Sequence, residues 1–176
     1  MFQECDVWKL MNLFFDYPSK KFHLRELART LKWGPGRVER NMKSLVAKNL
    51  INEMSEKNLK LFSANKASEE FKLLKRCYNI HALKDLVQFL NERLGFPQVI
   101  ILYGSGAHGE DDEISDIDIF VVGHEKELDV SKFEARMKRK LHIIFESSIK
   151  TVRKSPKLLN NLVNGVILSG YLKVIE

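Results

Sequence analysis

"YGSGAHGEDDEISDIDIF", Tyr103 to Phe120, is the stretch on which the reading of this chain turns. Gly104, Gly106 and Gly109 stand in the spacing G-x-G-x-x-G, four acids, Glu110 to Glu113, follow at once, and Asp116 and Asp118 come after them. On either side lie "QVIILYG" and "DIDIFVVG", short apolar runs next to turn residues, the pattern of buried strands. The 12 residues from Gly104 to Ser115 leave room for a glycine turn, a short helix and an acidic turn.

The glycine spacing alone suggests a dinucleotide fold, but its context argues against one. Such a unit needs the third glycine inside an amphipathic helix that crosses the sheet with its N-terminus aimed at a pyrophosphate. After Gly109 the acids carry no apolar stripe and would raise a negative field where an anion should bind. Glu125 and Glu127 do fall near the distance of a ribose-binding acid, so the pattern fails on context. No H-R-D, D-F-G or G-K-[ST] follows to support a kinase loop or a P-loop.

Asp116 and Asp118 are more informative. At i and i+2 of a strand their side chains share one face, roughly 6–7 Å apart. Two carboxylates at the head of a buried strand repel unless a cation lies between them, and Mg²⁺ suits one or two carboxylates together with substrate phosphates. On these residues alone the alternative stays open that both acids belong to a solvated loop, "EDDEISD".

Gly104-Ser105, ten residues and then Asp116-Ile117-Asp118 resemble the nucleotidyltransferase family related to DNA polymerase beta, and most of all its minimal prokaryotic members. The resemblance covers roughly residues 95–176. The ending "KLLNNLVNGVILSGYL" is similar to the close of this domain in archaeal proteins that join it to an N-terminal winged helix. The resemblance implies that Gly104 and Ser105 bind nucleotide phosphates, that Asp116 and Asp118 hold Mg²⁺ and act in catalysis, and that an NTP, ATP foremost, donates NMP to a hydroxyl. By the same resemblance the acceptor hydroxyl could belong to a partner protein. The chain departs from the family at two places. His108 stands where arginine is usual, and the third carboxylate falls at His142 in "KLHIIFESS". Glu146, on the same strand face as His142, is the remaining candidate for that third catalytic acid.

The first half carries a different signal. Residues 1–94 hold 18 Lys and Arg against 11 Asp and Glu, whereas 95–176 hold 11 against 12. Nine of those bases lie between Lys20 and Lys48, opposed only by Glu26 and Glu39. Helical spacing places Val7, Leu10, Met11, Phe14 and Phe15 on one face within residues 5–17, and Leu24, Leu27, Ala28 and Leu31 on a second helix. A third, "RVERNMKSLVAKNL", buries Val38, Met42, Leu45 and Val46 and leaves Arg37, Arg40 and Lys43 on the other side. "LINEMSEKNLKLFSAN" then reads as a hairpin turning at Ser55 to Asn58. This order resembles a winged helix-turn-helix, which implies DNA binding through residues 20–57, with Arg37, Arg40 and Lys43 on the helix that enters the major groove. A basic but solvated face used for protein contacts is the alternative.

Residues 66–94 read as helical, with one stripe through Phe71, Leu74 and Tyr78 and another through Leu83, Leu86, Val87, Leu90 and Leu94. The stripe could pack within the chain or against a second copy in a homodimer. No apolar run reaches membrane-spanning length, and Glu4 and Asp6 stand where a signal peptide would be basic, so the expectation is a cytoplasmic protein with no membrane partner. Cys5 and Cys77 have neither disulfide-framework nor zinc spacing. The expected fold class is α+β: a winged helix over 1–64, a helical connector over 65–94, and a mixed sheet flanked by helices over 95–176. Two functions fit this plan. One is a Mg²⁺-dependent nucleotidyltransferase with a DNA-binding arm. The other is a DNA-binding transcriptional regulator whose altered second domain only binds nucleotide or mediates dimerisation.

Overall fold

The computed structural model describes residues 5–56 and 59–173. They form an α+β protein with two separate sheets and two compact units, which divide between Lys75 and Arg76.

In the first unit, helix α1 (Asp6–Asp16) buries Leu10, Met11, Phe14 and Phe15, the stripe expected from their spacing. A two-residue strand, β1 (Phe22–His23), leads into α2 (Leu24–Leu31), whose C-cap Lys32 takes a left-handed conformation. Helix α3 (Pro35–Ala47) starts two residues earlier than the apolar pattern predicts, because Pro35 occupies its first turn, where a missing N–H costs nothing. Val38, Met42 and Leu45 form its buried face. Strands β2 (Ile51–Glu56) and β3 (Leu59–Ala64) make the expected hairpin. Pairing reaches Glu56 opposite Leu59, so Ser55 and Glu56 belong to the ladder and not to the turn, and Lys57 and Asn58 lie outside the described residues. The spacing gave no sign of β1, which pairs antiparallel with β3 and completes a sheet of order β1-β3-β2. The arrangement is that of a winged helix.

The expected connector is two helices, α4 (Glu69–Ala82) and α5 (Lys84–Leu94), and the division between the units falls inside α4. Phe71, Lys75 and Asn79, four residues apart, are all buried on α4, so its inward face is partly polar. In the second unit, β4 (Val99–Tyr103), wholly buried, runs into the one-turn helix α6 (Ser105–His108), and the chain returns as β5 (Ile117–Val122). Helix α7 (Ser131–Met137) crosses to β6 (Leu141–Glu146). Two short helices, α8 (Ile149–Val152) and α9 (Pro156–Val163), bring the chain to β7 (Val166–Gly170).

The sheet order is β6-β5-β4-β7, with β5 and β6 parallel and the other pairs antiparallel, the mixed sheet expected from the sequence. Leu83, Leu86, Leu90 and Phe133 pack on the face that carries Ile117, Ile119 and Val121. Ile149, Val152 and Leu162 cover the other face, with Val99, Ile101, Phe120 and Val122. A helix as short as α5 is marginal alone, whereas each fully buried leucine contributes about 1.5–3 kcal/mol, so burial on the sheet holds it. No helix among the described residues is long and apolar enough to cross a membrane.

Candidate functional site

Because β4 and β5 are antiparallel and Tyr103 pairs with Asp118, the turn that ends β4 meets the acids that open β5. Gly104 has φ +70° and ψ −156°, a conformation confined almost entirely to glycine. A Cβ at Gly104 would stand 2.7 Å from Asp118 Oδ2, so this position needs glycine for both its backbone and its neighbour. The carboxylate of Asp118 therefore faces the Gly104-Ser105 turn directly. Asp116 is exposed just before the strand.

Strand β6 brings the third group. Its register sets His142 beside Asp118, and His142 Nδ1 lies 3.1 Å from Asp118 Oδ1, with the imidazole 59% exposed. Glu146 pairs instead with Val122, at the opposite end of β5. Four residues along a parallel strand is about 13 Å, so sharing a face does not bring Glu146 to the site. Its Oε2 accepts a hydrogen bond from Thr151 Oγ1 at 2.7 Å. The register thus does not bring Glu146, the expected third catalytic carboxylate, beside Asp118. His108 is exposed at the end of α6. Behind the site, burial first and the nearby Asp118 charge second raise the pKa of Tyr103 above the ordinary tyrosine value.

The acidic run is not uniformly solvated. Asp111 is buried, with its side chain 1% exposed, and it meets Arg139, just before β6 and 14% exposed. Arg139 Nη1 donates to Asp111 Oδ2 at 2.6 Å, Nε to the Ser115 carbonyl at 2.7 Å and Nη2 to the Asp116 carbonyl at 3.2 Å. Asn79 Nδ2 donates to Asp111 Oδ1 at 2.8 Å and to the Gly106 carbonyl at 2.9 Å. Neither Arg139 nor Asn79 stands out in the sequence, and Asp111 reads there only as one of four acids. The only hint was the place of Asn79 on the α4 face that also holds Phe71.

Asp118 Oδ2 and the Asp116 carboxylate are hard oxygen donors of the kind Mg²⁺ takes. Among the described residues no group of three or more His, Cys, Asp or Glu side chains is arranged to hold a metal. The donor set thus fits a cation that arrives with phosphate oxygens to complete its shell, and not a cation caged by protein alone.

In the first unit, Arg37, Arg40 and Lys43 lie exposed on α3. Arg37 is engaged: its guanidinium forms a two-pronged bond to Asp6, with Nε to Oδ2 at 2.6 Å and Nη2 to Oδ1 at 2.5 Å, and lies 4.4 Å from the centre of the Trp33 ring. The bond from Arg37 holds Asp6 below the usual carboxylate range. Lys43 pairs with Glu39 at 3.1 Å.

No curated protein matches this chain. A solved structure, the adhesin competence repressor of Streptococcus pyogenes, is similar at 13% identity over 51% of this chain and 69% of its own, with a TM-score of 0.37. The second unit gives a clearer correspondence: residues 84–170, which contain the sheet, the glycine turn and both acids, match the family model described as "Polymerase beta, Nucleotidyltransferase".

Proposed function

We propose that the second unit binds an NTP at the Gly104-Ser105 turn and transfers its NMP to a hydroxyl acceptor, while the winged helix binds DNA. The approach of Asp118 Oδ2 to Gly104 carries this reading, since a glycine turn suited to phosphate and a carboxylate suited to a cation lie against one another. The family match over residues 84–170 supports the same class of chemistry. Backbone N–H groups of the turn and the Ser105 hydroxyl hold phosphate oxygens, because glycine lets a backbone approach an anion closely. Asp116 and Asp118 hold Mg²⁺, which when bound offsets the negative charge of the phosphates. The acceptor oxygen bonds to the α-phosphorus, the α–β bridging bond breaks, and pyrophosphate leaves. Asp116 or Asp118 draws the acceptor's proton. The acceptor can be a hydroxyl of a partner protein.

One observation favours a second reading. His142 occupies the β6 position beside Asp118, where a further carboxylate would bind metal or activate the acceptor. On that reading the chain is a DNA-binding regulator whose second unit senses nucleotide without turning it over. Incubation with each α-labelled NTP, Mg²⁺ and cell extract as the source of acceptors separates the two. The enzyme reading expects label transfer that is lost in Asp116→Ala and Asp118→Ala. Nucleotide binding without any transfer supports the regulator, and equal transfer by the mutants contradicts the site.

A further inference from the structure

We infer that Arg139, tied to Asp111 and through it to Asn79, is the positioning residue that aims Asp116 and fixes the glycine turn; the inference rests on the nucleotide reading above. The two peptide planes that flank the Asp116 Cα are those whose carbonyls belong to Ser115 and Asp116. Arg139 donates to both, through Nε at 2.7 Å and Nη2 at 3.2 Å. Peptide units are planar, so holding the planes on either side of one Cα sets its φ and ψ and hence the direction of its Cβ. On the far side of the second plane, the Ile117 N–H donates to the Lys140 carbonyl at 2.9 Å. The exposed side chain of Asp116 is thus directed by a half-buried guanidinium that bonds to its backbone.

The same guanidinium is anchored at the other end of the loop. Asp111 takes its third donor and also accepts from Asn79, which in turn holds the Gly106 carbonyl. The Ala107 N–H donates to the Gly104 carbonyl at 3.1 Å, so the peptide between Gly106 and Ala107 is held at both its oxygen and its nitrogen. The three carbonyls taken by the network belong to the two ends of the loop that carries the phosphate turn and the paired acids. A device for stability alone has no need of this choice, since apolar packing replaces buried ion pairs at little or no loss. The geometry suits a site whose groups are set before the ligand arrives, which spares the ordering cost at binding. Lysine in place of Arg139 keeps the charge but cannot present three donors in a fixed plane.

The test uses the full chain with Arg139→Lys, the milder Asp111→Asn, and Leu86→Ala, a core change on α5 that removes none of the network's hydrogen bonds, as a control that lowers Tm. Hydrogen exchange without ligand is read at the amides of residues 104–107 and 115–118, and Mg²⁺-ATP affinity is read by titration below the Tm of each variant. The expected result is faster exchange at those amides and about tenfold or greater loss of affinity in both network variants, a difference of about 1.4 kcal/mol or more, with Leu86→Ala keeping wild-type values in both. Unchanged exchange in both network variants, or faster exchange with unchanged affinity, overturns the inference. An equal loss in Leu86→Ala also overturns it, because general stability then accounts for the effect. A wild-type chain that binds no nucleotide removes the nucleotide reading and the positioning role with it. That failure is distinguishable, because the exchange measurement shows separately whether the network orders the loop.

Discussion

Gly104 is the residue at which backbone and site are hardest to separate. Its φ and ψ suit almost no other residue, and the atom nearest an added methyl is an oxygen of Asp118. Gly104→Ala should cost about 1–3 kcal/mol of stability from the backbone alone. It should also displace the Asp118 carboxylate, so Mg²⁺-dependent nucleotide affinity should fall further than the loss of stability explains; thermal melts and titration on the same samples check this. Gly104, Asp116 and Asp118 were legible in the sequence because their constraints are local, a tight turn and an i, i+2 pair. Asp111 was not. In a run of four acids it reads as solvated, and its partner lies 28 residues away. Breaking so buried a pair typically costs about 3–5 kcal/mol, since one charge is left uncompensated.

Among the elements, strand register decides what the site contains. The reading of β6 as a strand with His142 and Glu146 at the same parity is correct, but periodicity does not give the pairing offset of two strands. That offset brings His142 to Asp118 and leaves Glu146 at the far end of the sheet. His142→Asp should restore a carboxylate in register with Asp118. Two like charges there repel without a cation, so the Tm of the variant should fall in EDTA and recover with Mg²⁺ more strongly than that of the wild type; equal metal response in both proteins would count against the placement. Helix α3 was equally legible as an amphipathic stripe, whereas the state of its cations was not. Arg37 is held by Asp6, a contact 31 residues back in the chain. The exposed Lys43–Glu39 pair is worth only about 0.3–0.5 kcal/mol and yields readily to a phosphate. If α3 meets DNA, Arg40→Ala and Lys43→Ala should each reduce the slope of log affinity against log salt by about 0.9. Filter binding or fluorescence anisotropy over a salt series measures it, and slopes unchanged in both variants would remove α3 from the DNA interface.

For the whole molecule, the concentration of positive charge in the first half and the paired acids of the second correspond to two compact units, each with its own sheet. Composition and periodicity carried the fold class because each unit is built from strongly patterned elements. The short strand β1 escaped them, since two residues are too few for a period, and the one-residue break between α4 and α5 was legible only as a change from one apolar stripe to another. Both functional readings of the second unit, enzyme and sensor, share one claim: Gly104, Ser105, Asp116 and Asp118 form a single site for nucleotide and Mg²⁺. Calorimetric titration of ATP into the full chain, with Mg²⁺ and again with EDTA, tests that claim for the wild type and for Asp118→Ala. The expected result is binding that strengthens markedly with Mg²⁺ in the wild type and loses that dependence in Asp118→Ala. Binding with the same Mg²⁺ dependence in both proteins, or none in either, would contradict it.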